Sequence, residues 1–474
     1  MNKKFYITAA IPYVNAKPHI GHALEFVQTD CIRRYHKLLG EDSVSLSGGD
    51  ENALKNVQAA EEAGVPVQEF VDNNTELFRK LAIALAAEFD FWLKGSDEKH
   101  HLASQKLWKL CEKDIYKKTY EGLYCVGCEA FYAPEELNEN GECFEHPGKK
   151  LEKVAEENYF FRLSKYQDEL INLIKSDKLK TLPETRKNEV LSFLDQPLQD
   201  ISISRTNARA KNWGVPVPGD ASQRIYVWFD ALNIYQSGVG FGWDEEKYKK
   251  YWPADVQAIG KGILRFHAVY WPAFLLSAGL PLPKSVFVHG YLTVNGQKMS
   301  KTLGNVVDPN DFIKKYGADA LRYYLLAKVS PFTDGDFSEE KLKDAYNADL
   351  ANGLGNLIAR VAKLCESNNF HSNDSNHWSI NREISEALEE YKFNEALEKI
   401  WNEGIAPANR FVDENKPWEL SGEKLKEVLN HLIKAVVQIA FNLKPFLPET
   451  AEKIEEQFKG PKIKSGAPLF PRIK

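Results

Sequence analysis

Two short groups of residues, about 280 positions apart, carry the side chains best suited to chemistry. Near the start, the run Phe5-Tyr6-Ile7-Thr8-Ala9-Ala10 leads through Pro12 and Pro18 into His19-Ile20-Gly21-His22. Far downstream, Val286-Phe287-Val288 is followed by Lys298-Met299-Ser300-Lys301-Thr302. At a helix start, free backbone N–H groups and the helix dipole favour an anion. His19 and His22 at that end add donors for phosphate oxygens, and Gly21 lets a ligand approach the backbone. Such a histidine pair in isolation is more often an incidental feature of a helix start, and as a metal site it lacks an adjacent third ligand. The second group places two ammonium groups, Lys298 and Lys301, and the Ser300 hydroxyl between Gly296 and Gly304. Lysine is a mobile point charge, suited to a phosphate whose charge grows during reaction. Each group alone is a weak signal. Together, in this order, they predict a two-part clamp for ATP.

A third group is made of metal ligands. Cys125-x2-Cys128 is followed, after fourteen residues, by Cys143-x2-His146, which is zinc-knuckle spacing. Four soft or borderline ligands complete a tetrahedral set, so the motif predicts a closed, structural Zn2+ site rather than a catalytic one. Cys31, Cys111 and Cys365 stand alone in helical patterns and are expected to be small buried groups.

A chain of 474 residues is long enough for two to four domains. Its hydrophobic fraction of 43% and charged fraction of 27% are ordinary for a globular protein. A net charge of −6 excludes a general basic coat for nucleic acid but not a local basic patch. No apolar run reaches the length of a membrane span, and the first residues enter a strand without a secretory leader, so the expected compartment is the cytoplasm.

The elements that must position these groups alternate at first between strand and helix. Ala23, Val27, Cys31, Tyr35 and Leu39 recur every four residues after His22, one face of a helix closed by Gly40. Val44-Ser45-Leu46 predicts a short strand ending near Asp50. The pattern returns with Tyr226-Val227-Trp228, Val256-Gln257-Ala258-Ile259 and Val286-Phe287-Val288. The alternation predicts an α/β fold with a parallel sheet, whose ligands sit beyond the carboxyl ends of the strands, where His19, His22 and Asp50 fall. An insertion interrupts it, and from about Ser338 the chain reads as helical, with Leu432, Val436, Ile439, Ala440 and Leu443 as an apolar stripe. Asn368 to Trp378 reads as a polar loop.

With these residues in hand, the chain resembles the bacterial methionyl-tRNA synthetases, a family of class I aminoacyl-tRNA synthetases, over nearly its whole length. The resemblance rests on Ala10-Ile11-Pro12-Tyr13-Val14-Asn15 through His22, on Asp200 to Arg205, and on Tyr226-Val227-Trp228-Phe229-Asp230-Ala231. It rests further on Ile259-Gly260-Lys261 with Phe266-His267 and Trp271-Pro272, and on the Lys298 loop with Leu303-Gly304-Asn305-Val306-Val307. It implies a Rossmann-type catalytic domain in two halves, 1–114 and 211–337. Between them it implies a connective peptide with the zinc knuckle at 115–210, and after them an α-helical anticodon-binding bundle at 338–474. The implied reaction joins L-methionine to ATP·Mg2+ as methionyl-adenylate, then transfers methionine to initiator or elongator tRNA(Met).

The roles that follow are those the resemblance implies. His19, His22, Lys298 and Lys301 are the catalytic charges, with Gly21, Gly260 and Ser300 also at ATP. Asp50 binds the substrate ammonium and Arg205 orients Asp50 by a salt bridge. Ile11, Tyr13, Trp228, Ala231, Tyr235, Ile263, Phe266 and His267 form the methionine pocket, with Tyr13 and His267 as the polar contacts to sulfur. Asn356 and Arg360, four apart on one helix face, and Trp418 read the anticodon. The chain ends soon after the helical region, so a monomer without a further tRNA-binding module is expected.

Two places depart from the family pattern. Asp50-Glu51-Asn52-Ala53 stands where much of the family has Asp-Glu-His-Gly, and Gly260-Lys261-Gly262 stands where it has Gly-Lys-Asp. Loss of the second carboxylate predicts weaker binding of ATP or methionine. Three rival readings remain open from sequence: a class I synthetase for leucine, isoleucine, valine or cysteine; a small-molecule adenylyl- or cytidylyltransferase; and a zinc-containing RNA-binding protein with an inactive ATP site.

Overall fold

Runs whose charged residues are confined to their ends become the strands of a six-stranded parallel sheet: β1 (Lys4–Ala9), β2 (Asp42–Gly49), β3 (Phe91–Lys94), β4 (Lys180–Leu182), β5 (Val256–Gly260) and β6 (Ser285–His289). The spatial order is β3-β2-β1-β5-β6-β4, with every neighbouring pair parallel. From Phe5 onward β1 is buried at every position, as a parallel sheet covered on both faces requires. The order reverses between β1 and β5. A doubly wound sheet opens its ligand crevice at that switch point, beyond the carboxyl ends of the strands.

The computed structural model describes residues 3–473 except 129, 133–135, 145–147, 300–303 and 372–377, with Tyr120, Ala130 and Lys298 described by backbone alone. The chain forms two compact units. One comprises Met1–Pro18, Glu41–Lys80 and Phe89–His289; the other comprises His19–Gly40, Leu81–Glu88 and Gly290–Lys474.

The first unit holds the sheet and a core that joins Tyr6, Leu46, Leu107, Trp108, Phe229, Phe274 and Val286. The residues expected to form the insertion make an antiparallel sheet from Ala130–Tyr132, Ile115–Cys125, Glu152–Phe161 and Ile201–Ser202. Within the same stretch, β4 returns to the edge of the parallel sheet against β6. Tyr226-Val227-Trp228 was expected as a strand, and here the structure differs. The strand Asp220–Ile225 precedes it, and Val227–Ala231 is a helix begun by the Asp230 N–H to Tyr226 O bond. A short apolar run has no periodicity that separates a buried strand from a buried helix.

The second unit contains α1 (Ile20–Leu38) and, from Gly290 on, a hairpin of Leu292–Val294 with Gln297–Lys298 followed by helices. Leu432, Val436, Ile439, Ala440 and Leu443 are buried on the helix Gly422–Leu443, the stripe read from sequence. Cys31 and Cys365 are buried in helices of this unit, and Cys111 in a helix of the first. Among the described residues, no helix is long and apolar enough to cross a membrane.

Candidate active site

His19 is the N-cap of α1, and the two histidines form a reciprocal cap. The His19 Nδ1 accepts from the Gly21 N–H at 3.1 Å, and the His22 Nδ1 accepts from the His19 N–H at 3.1 Å. A ring nitrogen that accepts carries no proton, so in both neutral rings the proton is on Nε2. The rings stack with centroids 3.8 Å apart at 28°. Burial pushes His19 down to about 4, so it is neutral near pH 7. Each ring is therefore a neutral N–H donor at a helix N-terminus, the polarity a phosphate needs. A Cβ on Gly21 would sit 3.0 Å from His19 Cε1, so glycine lets the His19 ring keep this position without shifting.

The second signature meets the first within the same unit. The Ile20 N–H donates to Val307 O at 3.0 Å, and Met299 Cε lies 3.8 Å from where a Gly21 Cβ would be. Thus both flanks of the lysine loop lie at the start of α1. Ser300 and Lys301 fall outside the described residues, and Lys298 is described by its backbone, paired with Thr293.

In the first unit, β1 runs out into Ile11 and Tyr13, β2 into Asp50, and β5 into Gly260 and a turn at Lys261–Ile263. Tyr13 and Asp50 pair as a parallel bridge, and the Asp50 N–H donates to Pro12 O at 2.9 Å. Asp50 is buried. Trp228 stacks flat on Phe266, centroids 3.8 Å apart at 4°, and meets the edge of Tyr13 at 6.1 Å. Phe266 and His267 sit in a widened π-helical turn, Phe266–Tyr270, a feature common at functional sites. The structure thus brings Tyr13, Asp50, Trp228, Phe266, His267 and Tyr235 into one cluster at the switch point; Ala231 is buried on the Trp228 helix, and Ile11 and Ile263 are half-buried.

Three expectations change in detail. His19 and His22, expected among the catalytic charges, are neutral donors instead. His267 Nδ1 lies 2.9 Å from Ile263 O, so its proton is there, and its Nε2 lies 2.8 Å from the Tyr235 hydroxyl, which must donate to it. With burial pushing its pKa down to about 4, His267 is neutral and has no N–H to offer sulfur. It orients Tyr235 instead. Arg205 does not orient Asp50 by an ion pair among the described residues. Its Nη1 donates to Ser204 O at 2.7 Å and Ser202 Oγ at 3.0 Å, and its guanidinium lies over the rings of Tyr226, Phe131 and Tyr124.

The cysteines converge. Cys143 Sγ is 3.3 Å from Cys125 Sγ and 3.6 Å from Cys128 Sγ, with no disulfide between them. Three thiols at such spacing fit the edges of a tetrahedron around one Zn2+, about 3.8 Å for Zn–S bonds of about 2.3 Å. His146, the expected fourth ligand, lies outside the described residues. The knuckle also reaches the aromatic cluster. Trp228 Nε1 donates to Cys128 O at 3.2 Å, and Lys55 Nζ donates to Gly127 O at 2.9 Å while lying 3.2 Å from the Tyr13 ring centroid.

In the second unit, Asn356 and Arg360 lie one turn apart on the helix Asn356–Ser367, with Asn356 exposed. Arg360 pairs with Asp413 at 2.6 Å. Trp418, in the turn Pro417–Glu419, is 57% exposed, which removes the core role an isolated tryptophan would be given.

Sequence reasoning passed over Lys55 and Asp230. A buried aspartate in the apolar run Val227 to Leu232 was the available signal for Asp230, since a charge is rarely buried without donors. Lys55 had no such signal.

Comparison with known proteins gives this geometry a family. The model of the class I tRNA synthetases (M) matches residues 5–362. The methionine–tRNA ligase of Thermotoga maritima is 42% identical over 95% of this chain and 74% of its own length, and that of Brucella suis biovar 1 is 41% identical over 95% and 91%. The solved Mycobacterium tuberculosis methionyl-tRNA synthetase in complex with methionyl-adenylate superposes with a TM-score of 0.92 at 36% identity, covering 99% of this chain and 100% of that one. A switch-point aromatic cluster and a histidine-capped helix tied to the lysine loop agree with those matches, and the chain belongs to the methionyl-tRNA synthetases of class I.

Proposed function

We infer that the chain is a methionine–tRNA ligase. In the first step the methionine carboxylate attacks the α-phosphorus of ATP, taken up with Mg2+; the bond to the leaving oxygen breaks, and methionyl-adenylate and pyrophosphate form. In the second, a hydroxyl of the terminal ribose of tRNA(Met), initiator or elongator, attacks the methionyl carbonyl, loses its proton, and AMP leaves. The observation that carries the reading is the tie between α1 and the lysine loop, by the Ile20 N–H to Val307 O bond and by Met299 beside Gly21.

The nucleophile is already an anion, so no strong base is needed and catalysis is positioning plus charge stabilisation. The Nε2–H groups of His19 and His22 donate to phosphate oxygens, with Gly21 and Gly260 giving close backbone approach. Lys298 and Lys301 neutralise the growing charge and Ser300 adds a donor. Asp50 takes the substrate ammonium. Ile11, Tyr13, Trp228, Ala231, Ile263 and Phe266 surround the thioether, a polarizable apolar body, with Tyr235 held by His267. Arg205 supports this site through Ser202, Ser204 and the aromatic rings it covers. Asn356, Arg360 and Trp418 read the anticodon, the tryptophan by stacking on an unpaired base. Cys125, Cys128, Cys143 and His146 would hold one structural Zn2+, which supplies cross-linking of the knuckle and no reaction step.

The functional division we favour is 1–114 and 211–337 for catalysis, 115–210 for the connective peptide and 338–474 for the anticodon. A monomer in the cytoplasm is the proposed working form, and a concentration-independent dimer mass in light scattering would overturn the first part. The deciding experiment is ATP–pyrophosphate exchange with methionine, leucine, isoleucine, valine and cysteine. Exchange with methionine alone is expected. Exchange with another amino acid would overturn the pocket, and none at all would overturn the reading. Metal analysis should find about one zinc per chain, lost in Cys143→Ser.

A further inference from the structure

Asn52 lies two residues beyond Asp50 and is buried. Its side-chain nitrogen uses both hydrogens: Nδ2 donates to Gly95 O at 2.7 Å and to Asp230 Oδ2 at 2.6 Å. Asp230 sits between Trp228 and Ala231 in sequence, on the helix Val227–Ala231, and is 2% exposed. Its other oxygen accepts from Ser104 Oγ at 2.6 Å and faces His100 Nε2 at 3.0 Å. His100 is held in turn, with Nδ1 2.7 Å from Ser237 Oγ, and Asn233 Nδ2 donates to Ser104 Oγ at 3.2 Å. Burial alone would raise Asp230, but the adjacent His100 and the Ser104 hydroxyl hold it below the usual carboxylate range.

The Asp50 segment is otherwise pinned by Asn56, Thr75 and Ser96, which follow it in the chain, and by Trp213. Asn56 Nδ2 donates to Asp50 O at 2.8 Å and Trp213 Nε1 donates to Glu51 O at 2.8 Å. The Glu51 carboxylate accepts from Thr75 Oγ1 and Ser96 Oγ. Asn56, Thr75 and Ser96 fix the loop against the segments that follow it, and Trp213 fixes it to the stretch before the strand Asp220–Ile225. The Asn52 amide does something different: it ties the loop to the helix that carries Trp228 and Ala231.

We propose that Asn52 is a positioning residue for the amino-acid substrate, setting the distance between the Asp50 carboxylate and the Trp228–Ala231 wall through Gly95 and Asp230. The proposal rests on Asp50 binding the ammonium and Trp228 and Ala231 lining the side-chain pocket. A zwitterionic substrate must span both features at once, so a shift of one against the other costs binding of the amino acid and not of the nucleotide. The chemistry at position 52 is demanding, because two acceptors, one of them an anion, must be met by N–H groups from one short side chain. Aspartate has no donor and would set a second carboxylate against Asp230. Histidine has two N–H groups only as the imidazolium.

The test is pyrophosphate exchange on the full chain, varying methionine at saturating ATP and ATP at saturating methionine. Asn52→Ala should raise the methionine KM about tenfold, leaving the ATP KM within about twofold, since a buried carboxylate loses a donor it cannot replace. Asn52→His should show a methionine KM near that of the parent at about pH 6 that climbs as the imidazole deprotonates toward pH 8, a trend absent from the parent and from Asn52→Ala. An unchanged methionine KM in Asn52→Ala, or equal rises for both substrates, would overturn the proposal. If Asn52→Ala does not fold, a flat pH profile for Asn52→His overturns it instead. Failure of the parent protein to exchange with methionine would strike the underlying reading, and Asp50→Asn exchanging like the parent would strike the ammonium assignment; either is distinct from a failure at Asn52.

Discussion

His19 and His22 are Nε2 donors because backbone N–H groups occupy their Nδ1 atoms. The same side chain therefore caps the helix and, in the proposed function, donates to the substrate phosphate, and the two roles separate by substitution. Asparagine is among the best N-caps but is too short to carry a donor where Nε2 stands. His19→Asn should leave the melting temperature within a few degrees of the parent and lower the exchange turnover about a hundredfold, the usual cost of one transition-state donor. His267 makes a stability prediction. Its folded value, about 4, lies below its ordinary 6.5, so between those values the unfolded chain binds the extra proton. Stability contributed by neutral His267 is complete above that window and is lost as pH falls through it, by about 3 kcal/mol at most. His19 is shifted in the same direction and adds to the slope. Urea midpoints at several pH values should fall less steeply with acid in His267→Gln than in the parent; parallel curves would refute the assignment.

The hairpin that leads into the lysine loop is held at its turn. Asn295 and Gly296 both have positive φ, 50° and 76°, the conformation of a tight two-residue hairpin turn. Asp336 clamps that turn from the neighbouring strand, Gly335–Phe337. Its Oδ1 accepts from the Gly296 N–H and from Thr293 Oγ1, both at 2.7 Å. Partial burial would raise its pKa, but these donors and Lys341 hold it below the usual range. The other flank of the loop is fixed by Val307 on α1. Asp336→Ala should therefore lower exchange turnover about tenfold through the loop's entry, with the methionine KM unchanged. A changed methionine KM would show that the hairpin acts on something else.

Within the second unit, one arginine does the work of a joint. Arg322 is fully buried and its Nη1 pairs with Asp30 of α1 at 2.7 Å. It also donates to Leu85 O, Phe446 O and Pro445 O. Asp30, equally buried, is further held by Arg34 and by the Glu88 N–H. The helix that begins with His19 is thereby keyed to the helical region. Removing Arg322 leaves the buried Asp30 with only Arg34 and the Glu88 N–H and strips donors from three buried carbonyls, so Arg322→Leu should cost about 3 kcal/mol in urea unfolding. Replacing Asp30 as well should recover part of that, and an unchanged midpoint in the single variant would overturn this account.

What the linear sequence determined is what acts over a few residues. The histidine pair at a helix start, the four-residue apolar period of α1 and the spacing of Cys125, Cys128 and Cys143 were legible because caps, helix faces and knuckle turns are local. The ordered motifs placed the family, and the alternation of strand and helix placed the crevice. Other features needed the tertiary structure, because they depend on which distant atoms become neighbours once water is removed. Such are the helix in place of a strand at Val227–Ala231, the return of β4 to the sheet edge, and the grouping of α1 with the chain from Gly290 onward. So too are the engagement of both His267 nitrogens and the turning of Arg205 toward Ser202 and Ser204. The Asn52 to Asp230 bond joins residues 178 positions apart. No local rule reaches that far: a polar side chain's partner is decided by burial, which makes unmet donors and acceptors costly and so favours arrangements that pair them.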